Sequence, residues 1–480
     1  MNRTGRRFPG TLVREREGSM ATRAARTRFA CQECGYESPR WLGRCPSCQA
    51  WNSLVPDTPV VPYQSPRTRA SVRPLSDVDP ALESRRPTGI TELDRVLGGG
   101  VVPGSVVLLG GEPGIGKSTL LLQASHSFAQ LHGTVLYVCA EESAQQVALR
   151  AARLGVRSDA LRVLPETDVD AVVAAARTEG PRWLVVDSIQ TVAAADVEGI
   201  PGSITQVRET ASRLTRLARE EGIPVLIVGH VNKQGAIAGP KVLEHAVDAV
   251  LYLEGERQTQ LRALRAAKNR FGSTSEVGIF EMADSGLREV PNPSELFLQE
   301  RAAGQPGTVV AALLEGTRPL LVEVQALVGP APFGGTPRRQ VAGIDYQRAV
   351  IVLAVLERRC GFPLHSADVY INAAGGVRVE EPAVDLAIAL AVASAHLDQP
   401  VDPGIVVFGE VGLAGEVRAT RHGERRLQEA AKLGFRRCVL PKGNGTWRSA
   451  ELGIECVGVA TVAEALWTVD ALLPSAGERR

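Results

Sequence analysis

The segment that most constrains the fold of this 480-residue chain is Gly-Glu-Pro-Gly-Ile-Gly-Lys-Ser at residues 111–118. Its spacing is that of a phosphate-binding loop, in which a glycine, four residues and Gly-Lys-Ser connect a buried strand to a helix. The apolar run Val106–Leu109 precedes the loop, and an apolar helical pattern begins at Thr119. Because both flanking elements are present, the pattern favours a nucleotide site over an accidental glycine-rich turn.

Each part of this loop has a physical task. Glycines let backbone N–H groups point at phosphate oxygens, and the N-terminus of the following helix adds positive potential. We expect Lys117 to hold the outer phosphates and the Ser118 hydroxyl to ligate Mg²⁺. The predicted ATP-binding residues are Gly111, Glu112, Pro113, Gly114, Ile115, Gly116, Lys117, Ser118 and Thr119.

Composition limits the partners and the compartment. Lys plus Arg total 54 against 53 for Asp plus Glu, so any nucleic-acid surface must be a local patch. No apolar run approaches the roughly 20 residues of a membrane span, and the N-terminus lacks the apolar core of a secretory signal. Eight cysteines, four of them clustered, favour a reducing compartment and a metal over disulfides. We expect a cytoplasmic protein without membrane contact.

Four cysteines form a metal-ligand pattern. Cys31 and Cys34 are followed, ten residues later, by Cys45 and Cys48. Four thiolates at this spacing suit one tetrahedral Zn²⁺, which would supply most of the folding energy of so small a segment. The segment resembles a rubredoxin-type zinc ribbon. A redox pair is the alternative, and the doubled Cys-x-x-Cys motif favours zinc.

Strand-like apolar runs recur after the loop, at Val135–Cys139, Trp183–Val186, Val225–Val228, Ala249–Leu253 and Leu261–Ala266. Helical patterns separate the earlier runs, which predicts a mostly parallel, doubly wound sheet. The later runs follow one another closely and indicate an antiparallel extension at one edge. From Gly307 the pattern becomes α+β, with a hairpin predicted over Ile405–Val417.

Residues 88–100 resemble the segment before the phosphate loop of RecA-type ATPases. Polar residues follow several of the strand-like runs, at positions where such an ATPase would need them. Asp187 is the expected carboxylate of the magnesium shell. In RecA-like proteins a carboxylate after the second strand orients the attacking water, which points to Glu141, with Glu142 as the alternative. His230 follows a further strand and is either a γ-phosphate sensor or a capping histidine.

Two further groups of cations are candidates for function. Lys233 and Lys241 lie in a glycine-rich loop that, in RecA-like rings, faces the central channel, where ammonium groups can follow DNA phosphates. A solvated loop is the alternative. Lys268 and Arg270 could reach the nucleotide of a neighbouring subunit, as trans-acting fingers do. They belong to the motif Lys268, Asn269, Arg270, Phe271 and Gly272.

The ribbon, the phosphate loop, this motif and the C-terminal region, in that order, closely resemble the bacterial RadA (Sms) family over roughly residues 29–470. The resemblance implies a hexameric, DNA-stimulated ATPase that acts on single-stranded and branched DNA. It also implies branch migration of recombination intermediates made by the RecA recombinase. A nucleotide-gated DNA-binding or signalling protein without motor activity is the alternative, since both need the same loop.

The C-terminal region resembles the proteolytic domain of Lon proteases, as that of the RadA family does. A Lon-type site needs a serine nucleophile and a lysine base. Here the nucleophile position is Ala383 and the lysine position falls near Glu424. We therefore expect a retained fold without protease activity. Ser366 with Lys432 is the alternative dyad.

The predicted fold class is multidomain α/β: a small zinc ribbon, a RecA-like doubly wound P-loop ATPase core and an α+β Lon-protease-like C-terminal domain. A basic, disordered N-terminal extension is expected to precede the ribbon. The predicted divisions are the extension at 1–28, the ribbon at 29–51, a linker at 52–86, the ATPase domain at 87–290, a connector at 291–306, the inactive Lon-like domain at 307–472 and a tail at 473–480.

Overall fold

The structure is a computed structural model that describes residues 28–31, 36–57, 85–230, 242–255, 260–299, 301, 304–331, 336–376, 378–445 and 449–469. Nearly all of the predicted N-terminal extension, most of the linker and the predicted tail lie outside the described residues. The chain divides into two compact units, residues 1–71 and 72–480.

The first unit contains the ribbon, a three-stranded antiparallel sheet in the order β2-β1-β3. Its strands are β1 Arg28–Cys31, β2 Glu37–Ser38 and β3 Leu54–Asp57. The buried core consists of Cys31, Cys45 and Leu54, with Phe29 and Leu42 packed against it. So small an apolar core contributes little folding energy, which fits a fold that depends on a metal.

The second unit begins with a nine-stranded sheet in the order β12-β11-β10-β9-β4-β8-β7-β5-β6. Strands β4 to β9 pair in parallel, and β10 to β12 extend one edge in antiparallel fashion. Its elements are α1 Thr91–Leu97, β4 Val106–Gly111, α2 Lys117–His132, β5 Val135–Cys139, α3 Ala144–Arg153, β6 Leu161–Leu164, α4 Val169–Glu179, β7 Trp183–Asp187, α5 Ile204–Glu221, β8 Val225–Val228, α6 Val242–Ala246, β9 Ala249–Glu254, β10 Leu261–Asn269, β11 Val277–Ala283 and β12 Gly286–Glu289.

The central strands are apolar throughout because the sheet is covered on both faces. In β4, Val107 and Leu109 join the core that packs under α1 and α2. Val106 and Leu108 join the opposite core, under α4 and α5. This arrangement confirms the predicted doubly wound sheet with its antiparallel edge. Strands β6, β11 and β12 were not predicted.

The C-terminal part of the second unit contains a seven-stranded sheet in the order β15-β16-β14-β13-β17-β20-β21. Helix α9 is buried along most of its length, and it packs against β13, β14 and α8. The elements are α7 Pro293–Leu298, β13 Thr308–Glu315, β14 Arg318–Pro330, β15 Arg339–Ala342, α8 Tyr346–Cys360, β16 Ala367–Ala373, α9 Asp385–Leu397, β17 Ile405–Val407, β18 Glu410–Val411, β19 Val417–Arg418, α10 Gly423–Lys432, β20 Arg437–Pro441, α11 Ser449–Leu452, β21 Glu455–Val459 and α12 Val462–Thr468.

The hairpin predicted over Ile405–Val417 is wrong for its first strand. Strand β17 lies in the large sheet, parallel to both β13 and β20. Only β18 and β19 form an antiparallel pair, in a separate two-stranded sheet. The segment predicted as a connector also contains α7, which packs on β14. None of the described helices has the length and apolar character needed to cross a membrane.

Candidate active site

The predicted phosphate loop lies between the end of β4 and the start of α2. Gly111 closes β4, and a Cβ atom on it would fall 2.6 Å from the carbonyl oxygen of Leu253 on the neighbouring strand. Only glycine fits that close approach. Helix α2 begins at Lys117, so its free backbone N–H groups open toward the loop. The loop therefore has the shape and polarity of an anion-binding site.

Lys117 is buried and turned back onto the loop. Its Nζ donates to the carbonyl oxygens of Gly111 at 2.8 Å and Glu112 at 3.0 Å. Burial lowers the pKa of Lys117, and the carboxylates of Asp187 and Glu141 act in the opposite direction. The structure thus brings Lys117, Asp187 and Glu141 together at the carboxyl end of the parallel strands.

Asp187 is the last residue of β7 and is buried. Its Oδ2 accepts a hydrogen bond of 2.7 Å from the hydroxyl of Tyr137 on β5. Burial, together with the Asp187 charge, holds the pKa of Tyr137 well above its usual value, so the phenol stays a donor. Tyr137 orients the carboxylate. The sequence did not reveal this role, because Tyr137 lies within an uninterrupted apolar run.

The structure separates the two adjacent carboxylates that follow β5. Glu142 is held by Arg150 of α3, whose Nη2 donates to Glu142 Oε1 at 2.6 Å. Glu141 Oε2 instead lies 3.1 Å from His230 Nε2, at the end of β8. This geometry favours Glu141 over Glu142 as the residue that faces the nucleotide. Its role in orienting water stays a prediction.

Arg262 on β10 is a site residue that the sequence analysis missed. Its Nε donates to the carbonyl oxygen of Ile115, inside the phosphate loop, at 3.2 Å. Burial lowers the pKa of Arg262. The antiparallel edge of the sheet therefore supports the phosphate loop from the side. The alternating sequence of β10 does not reveal which of its arginines faces the loop.

The cations of the Lys-Asn-Arg-Phe-Gly motif bind oxygen atoms around α6 and the start of β9. Lys268 Nζ donates to two carbonyl oxygens at 2.7 Å each, that of Glu244 within the short helix α6 and that of Val247 just after it. Arg270 Nη1 donates to Asp248 Oδ1 at 3.0 Å. These contacts hold both cations at the end of β10.

Strand register shows that this end of β10 is far from the phosphate loop of the same chain. Lys268 pairs with Val250 near the start of β9, whereas Gly111 pairs with Leu253 near its end. The two pairing positions on β9 are three residues apart, which corresponds to about 10 Å along the strand. The Lys268 side chain points to the carbonyls that precede β9, away from the loop. A role at a neighbour's nucleotide stays a prediction.

Three of the four predicted zinc ligands are described, and their sulfur atoms converge. The Sγ atoms of Cys31, Cys45 and Cys48 all lie within 4.8 Å of one another. Cys31 Sγ is 3.6 Å from Cys48 Sγ. Thiolates at about 2.3 Å from a tetrahedral Zn²⁺ would be about 3.8 Å apart, so these donors fit zinc. Cys34 lies outside the described residues, as do the predicted DNA-binding residues Lys233 and Lys241.

The region corresponding to a Lon-type active site has different chemistry. Ala383 is buried in the turn before α9. Close by in sequence, Glu381 forms an ion pair with the fully buried Arg426, whose guanidinium lies 5.4 Å from the centre of the Phe408 ring. The Ser366 hydroxyl donates to Pro363 within its own turn, at 3.4 Å. A methyl group at Ala383 cannot attack a peptide bond.

Family models match three parts of the chain. A rubredoxin metal binding domain matches residues 29–56, an AAA domain matches residues 72–236, and subunit ChlI of Mg-chelatase matches residues 340–444. Together with the sheet, loop and cysteines described above, they define a multidomain P-loop ATPase that uses ATP, Mg²⁺ and Zn²⁺. The predicted fold class is confirmed: a zinc ribbon, a RecA-like core and a Lon-like α+β domain.

Curated relatives narrow this class to one family. "DNA repair protein RadA" of Halalkalibacterium halodurans is 52% identical over 449 residues, covering 92% of this chain and 98% of the relative. The protein of that name from Bacillus subtilis is 51% identical over 454 residues, covering 92% and 98%. That from Listeria monocytogenes is 50% identical over 455 residues, covering 93% and 99%. The chain therefore belongs to the RadA family of DNA repair proteins.

Proposed function

We propose that this protein is a DNA-stimulated ATPase of recombinational repair that promotes branch migration of strand-exchange products made by RecA. The observation that carries the proposal is the convergence of Lys117, Asp187 and Glu141 at one edge of the sheet, beside a phosphate loop. The name shared by the relatives supports a role in DNA repair.

The residues of this site divide the work of ATP hydrolysis. Lys117 exchanges the carbonyls of Gly111 and Glu112 for phosphate oxygens, which its ammonium binds more strongly. Ser118 and Asp187 would hold Mg²⁺, which would neutralise charge on the phosphates when bound. Glu141 accepts a proton from the attacking water, and His230 holds the Glu141 carboxylate in place.

Lys268 and Arg270 complete the site of the neighbouring subunit in a hexameric ring. The register of β10 supports this role, because it keeps both cations away from the phosphate loop of their own chain. Hydrolysis in one subunit would then depend on the position of the next. Lys233 and Lys241 would contact single-stranded and branched DNA in the channel of the ring.

The Lon-like domain, at 307–472 in our division, serves as a scaffold of the ring and not as a protease. Ala383 at the nucleophile position supports this. We place the protein in the cytoplasm, where RecA and its DNA substrates would be encountered.

The test is steady-state ATP hydrolysis with and without single-stranded DNA. Lys117→Ala should abolish turnover, and Lys268→Ala should lose the DNA-stimulated part. Lys442→Ala, at an exposed lysine in the turn that follows β20, is the matched control and should behave as wild type. Full turnover in Lys117→Ala would refute the site.

Mixing the two variants tests the shared site directly, with DNA-stimulated turnover as the activity that both lack. A ring that contains Lys117→Ala and Lys268→Ala subunits has some sites with an intact loop beside an intact Lys268. Mixtures should therefore recover part of the activity that each variant lacks alone. No recovery, with mixed rings demonstrated by a pull-down of differently tagged chains, would contradict action in trans.

Branch-migration assays separate a motor from a nucleotide-gated binding protein. A motor converts a three-strand junction into product at a rate that depends on ATP hydrolysis. A binding protein would retain the junction without converting it. ATP turnover that ignores DNA, together with an unconverted junction, would favour the second interpretation.

A further inference from the structure

The zinc ribbon carries most of its aromatic side chains on the outside. Its buried core uses cysteines and Leu54, with Phe29 alone among the aromatic residues packed against it. Tyr36 is 39% exposed, Trp41 54% and Trp51 72%. Folding of the ribbon therefore does not account for the two tryptophans, which are the costliest residues to leave in water.

Both indole rings lie against other residues of the ribbon. The tip of the Trp41 ring lies 3.5 Å from where a Cβ atom of Gly43 would stand, so the ring rests against a residue without a side chain. The Arg44 guanidinium lies 5.6 Å from the centre of the Trp51 ring. Arg44 is itself fixed by hydrogen bonds to Gln49, at 3.0 Å to O and 2.6 Å to Oε1. Rings that already contact neighbouring residues lose less entropy when a ligand stacks on them.

The backbone brings the two rings into one neighbourhood. Arg44 and Trp51 form an antiparallel bridge, and the Asn52 N–H donates to the Gly43 carbonyl at 2.8 Å. Trp41 thus lies against Gly43, and Trp51 lies against Arg44. Gly43 and Arg44 are consecutive, so their Cα atoms are about 3.8 Å apart. Arg40 and Arg44 supply positive charge, and residues 39–54 contain no acidic side chain.

We propose that Trp41, Arg44 and Trp51 bind single-stranded nucleic acid, with bases stacked on the indole rings and the arginines near the phosphates. Exposed aromatic faces with adjacent cations are what unpaired bases on a polyanionic backbone require. An acidic peptide would use the cations but not the open ring faces. The inference goes beyond the proposed ATPase cycle, because this binding needs no nucleotide.

The test uses the full-length, zinc-loaded protein and a fluorescein-labelled oligo(dT) strand, with anisotropy measured in the absence of ATP. Trp51→Ala and Trp41→Ala should each weaken binding by roughly 5- to 150-fold, the range for loss of one stacked base. Trp51→Phe should retain most of the affinity. Trp467→Ala removes a tryptophan that is 63% exposed on α12 and is the matched control. Zinc content per chain shows that each variant keeps the ribbon folded.

An abasic strand of the same length isolates the stacking. It keeps the phosphates and loses the bases, so wild type and Trp51→Ala should bind it alike. An equal loss for Trp51→Ala on the abasic strand would overturn stacking. If Trp41→Ala and Trp51→Ala bind oligo(dT) as tightly as Trp467→Ala does, the surface is not a nucleic-acid site. A protein partner would then be the remaining interpretation of the exposed rings.

The outcome for the ribbon can be told apart from that for the ATPase. If the tryptophan variants bind oligo(dT) normally and DNA still stimulates ATP turnover, only the ribbon inference fails. If wild type binds no oligo(dT) and DNA does not stimulate turnover, the proposed DNA-dependent function fails as well.

Discussion

A buried ion pair joins helix α1, which packs on the nine-stranded sheet, to the C-terminal sheet, and its removal should be costly. Arg318, the first residue of β14, places Nη1 2.5 Å from Oε2 of Glu92 in α1. The two side chains are 7% and 2% exposed. Arg318 Nη2 also donates to the carbonyl oxygens of Val290 at 3.1 Å and Pro291 at 2.7 Å. We predict that Arg318→Met strongly destabilises the protein.

The magnitude follows from what remains around Glu92 in the variant. Its Oε2 still accepts from the Ile279 N–H at 2.8 Å, and its Oε1 lies 3.6 Å from Arg95 Nε. Loss of one partner of a buried pair costs about 3 to 5 kcal/mol when the other charge is left uncompensated. Because two donors stay near Glu92, we expect the lower part of this range, about 3 kcal/mol.

Urea unfolding of the full-length protein measures this loss. Glu92→Gln removes the charge but keeps an acceptor, so adding it to Arg318→Met should recover about 1 kcal/mol or more of the lost stability. Arg95→Met is the matched control. Arg95 is 40% exposed, and its loss should cost less than about 1 kcal/mol. An Arg318→Met variant within about 1 kcal/mol of wild type would refute the reasoning.

Three further predictions test other parts of the structure. Burial raises the pKa of Asp385 from 3.8 to about 6, against the effect of its Val411 N–H and Arg348 partners. The folded state therefore binds the Asp385 proton more tightly than the unfolded state does. The stability that comes from this protonated carboxyl group is lost as the pH rises through 6. The free energy of unfolding of the wild type should thus fall by about 1 kcal/mol between pH 5 and pH 7, because of this group. The Asp385→Asn variant should not show this fall, and urea unfolding at both pH values measures the difference. Removal of zinc with a chelator should change the emission of the ribbon tryptophans but leave the unfolding transition of residues 72–480 in place, since that unit is compact by itself. Arg262→Met should weaken ATP binding roughly 5- to 10-fold, because the Ile115 carbonyl loses a donor, and titration with a fluorescent ATP analogue measures this.

The parts of the fold that the sequence predicted best are strands buried on both faces. Predicted and observed bounds agree for β5 and β8, where alternate residues enter the two opposite cores and all are apolar. Strand β6 was missed for the converse reason. It lies at the edge of the sheet, its side chains are partly or fully exposed, and Arg162 interrupts any apolar run.

Predictions failed where a partner distant in sequence decides the outcome. Spacing alone made β17 look like the first strand of a hairpin, but its Val406 pairs in parallel with Val310 and Cys438. The choice between the two adjacent glutamates after β5 also depends on distant partners, and the sequence preferred Glu141 only by resemblance to RecA-like proteins. The contact of Arg150 with Glu142 ranks them, because it leaves Glu141 beside His230.

Helix α1 gives the C-terminal sheet a physical connection to the Lys-Asn-Arg-Phe-Gly motif. At its start, Glu92 is bound by Arg318 of β14. At its end, Asn269 Nδ2 donates to the carbonyl oxygens of Val96 at 3.2 Å and Leu97 at 3.3 Å. The turn before β14 also packs closely against the segment between β10 and β11, since a Cβ atom on Gly316 would lie 1.6 Å from the Ser275 carbonyl oxygen. The C-terminal sheet therefore fixes the helix on which the motif rests, and this structural role does not depend on the residue at position 383.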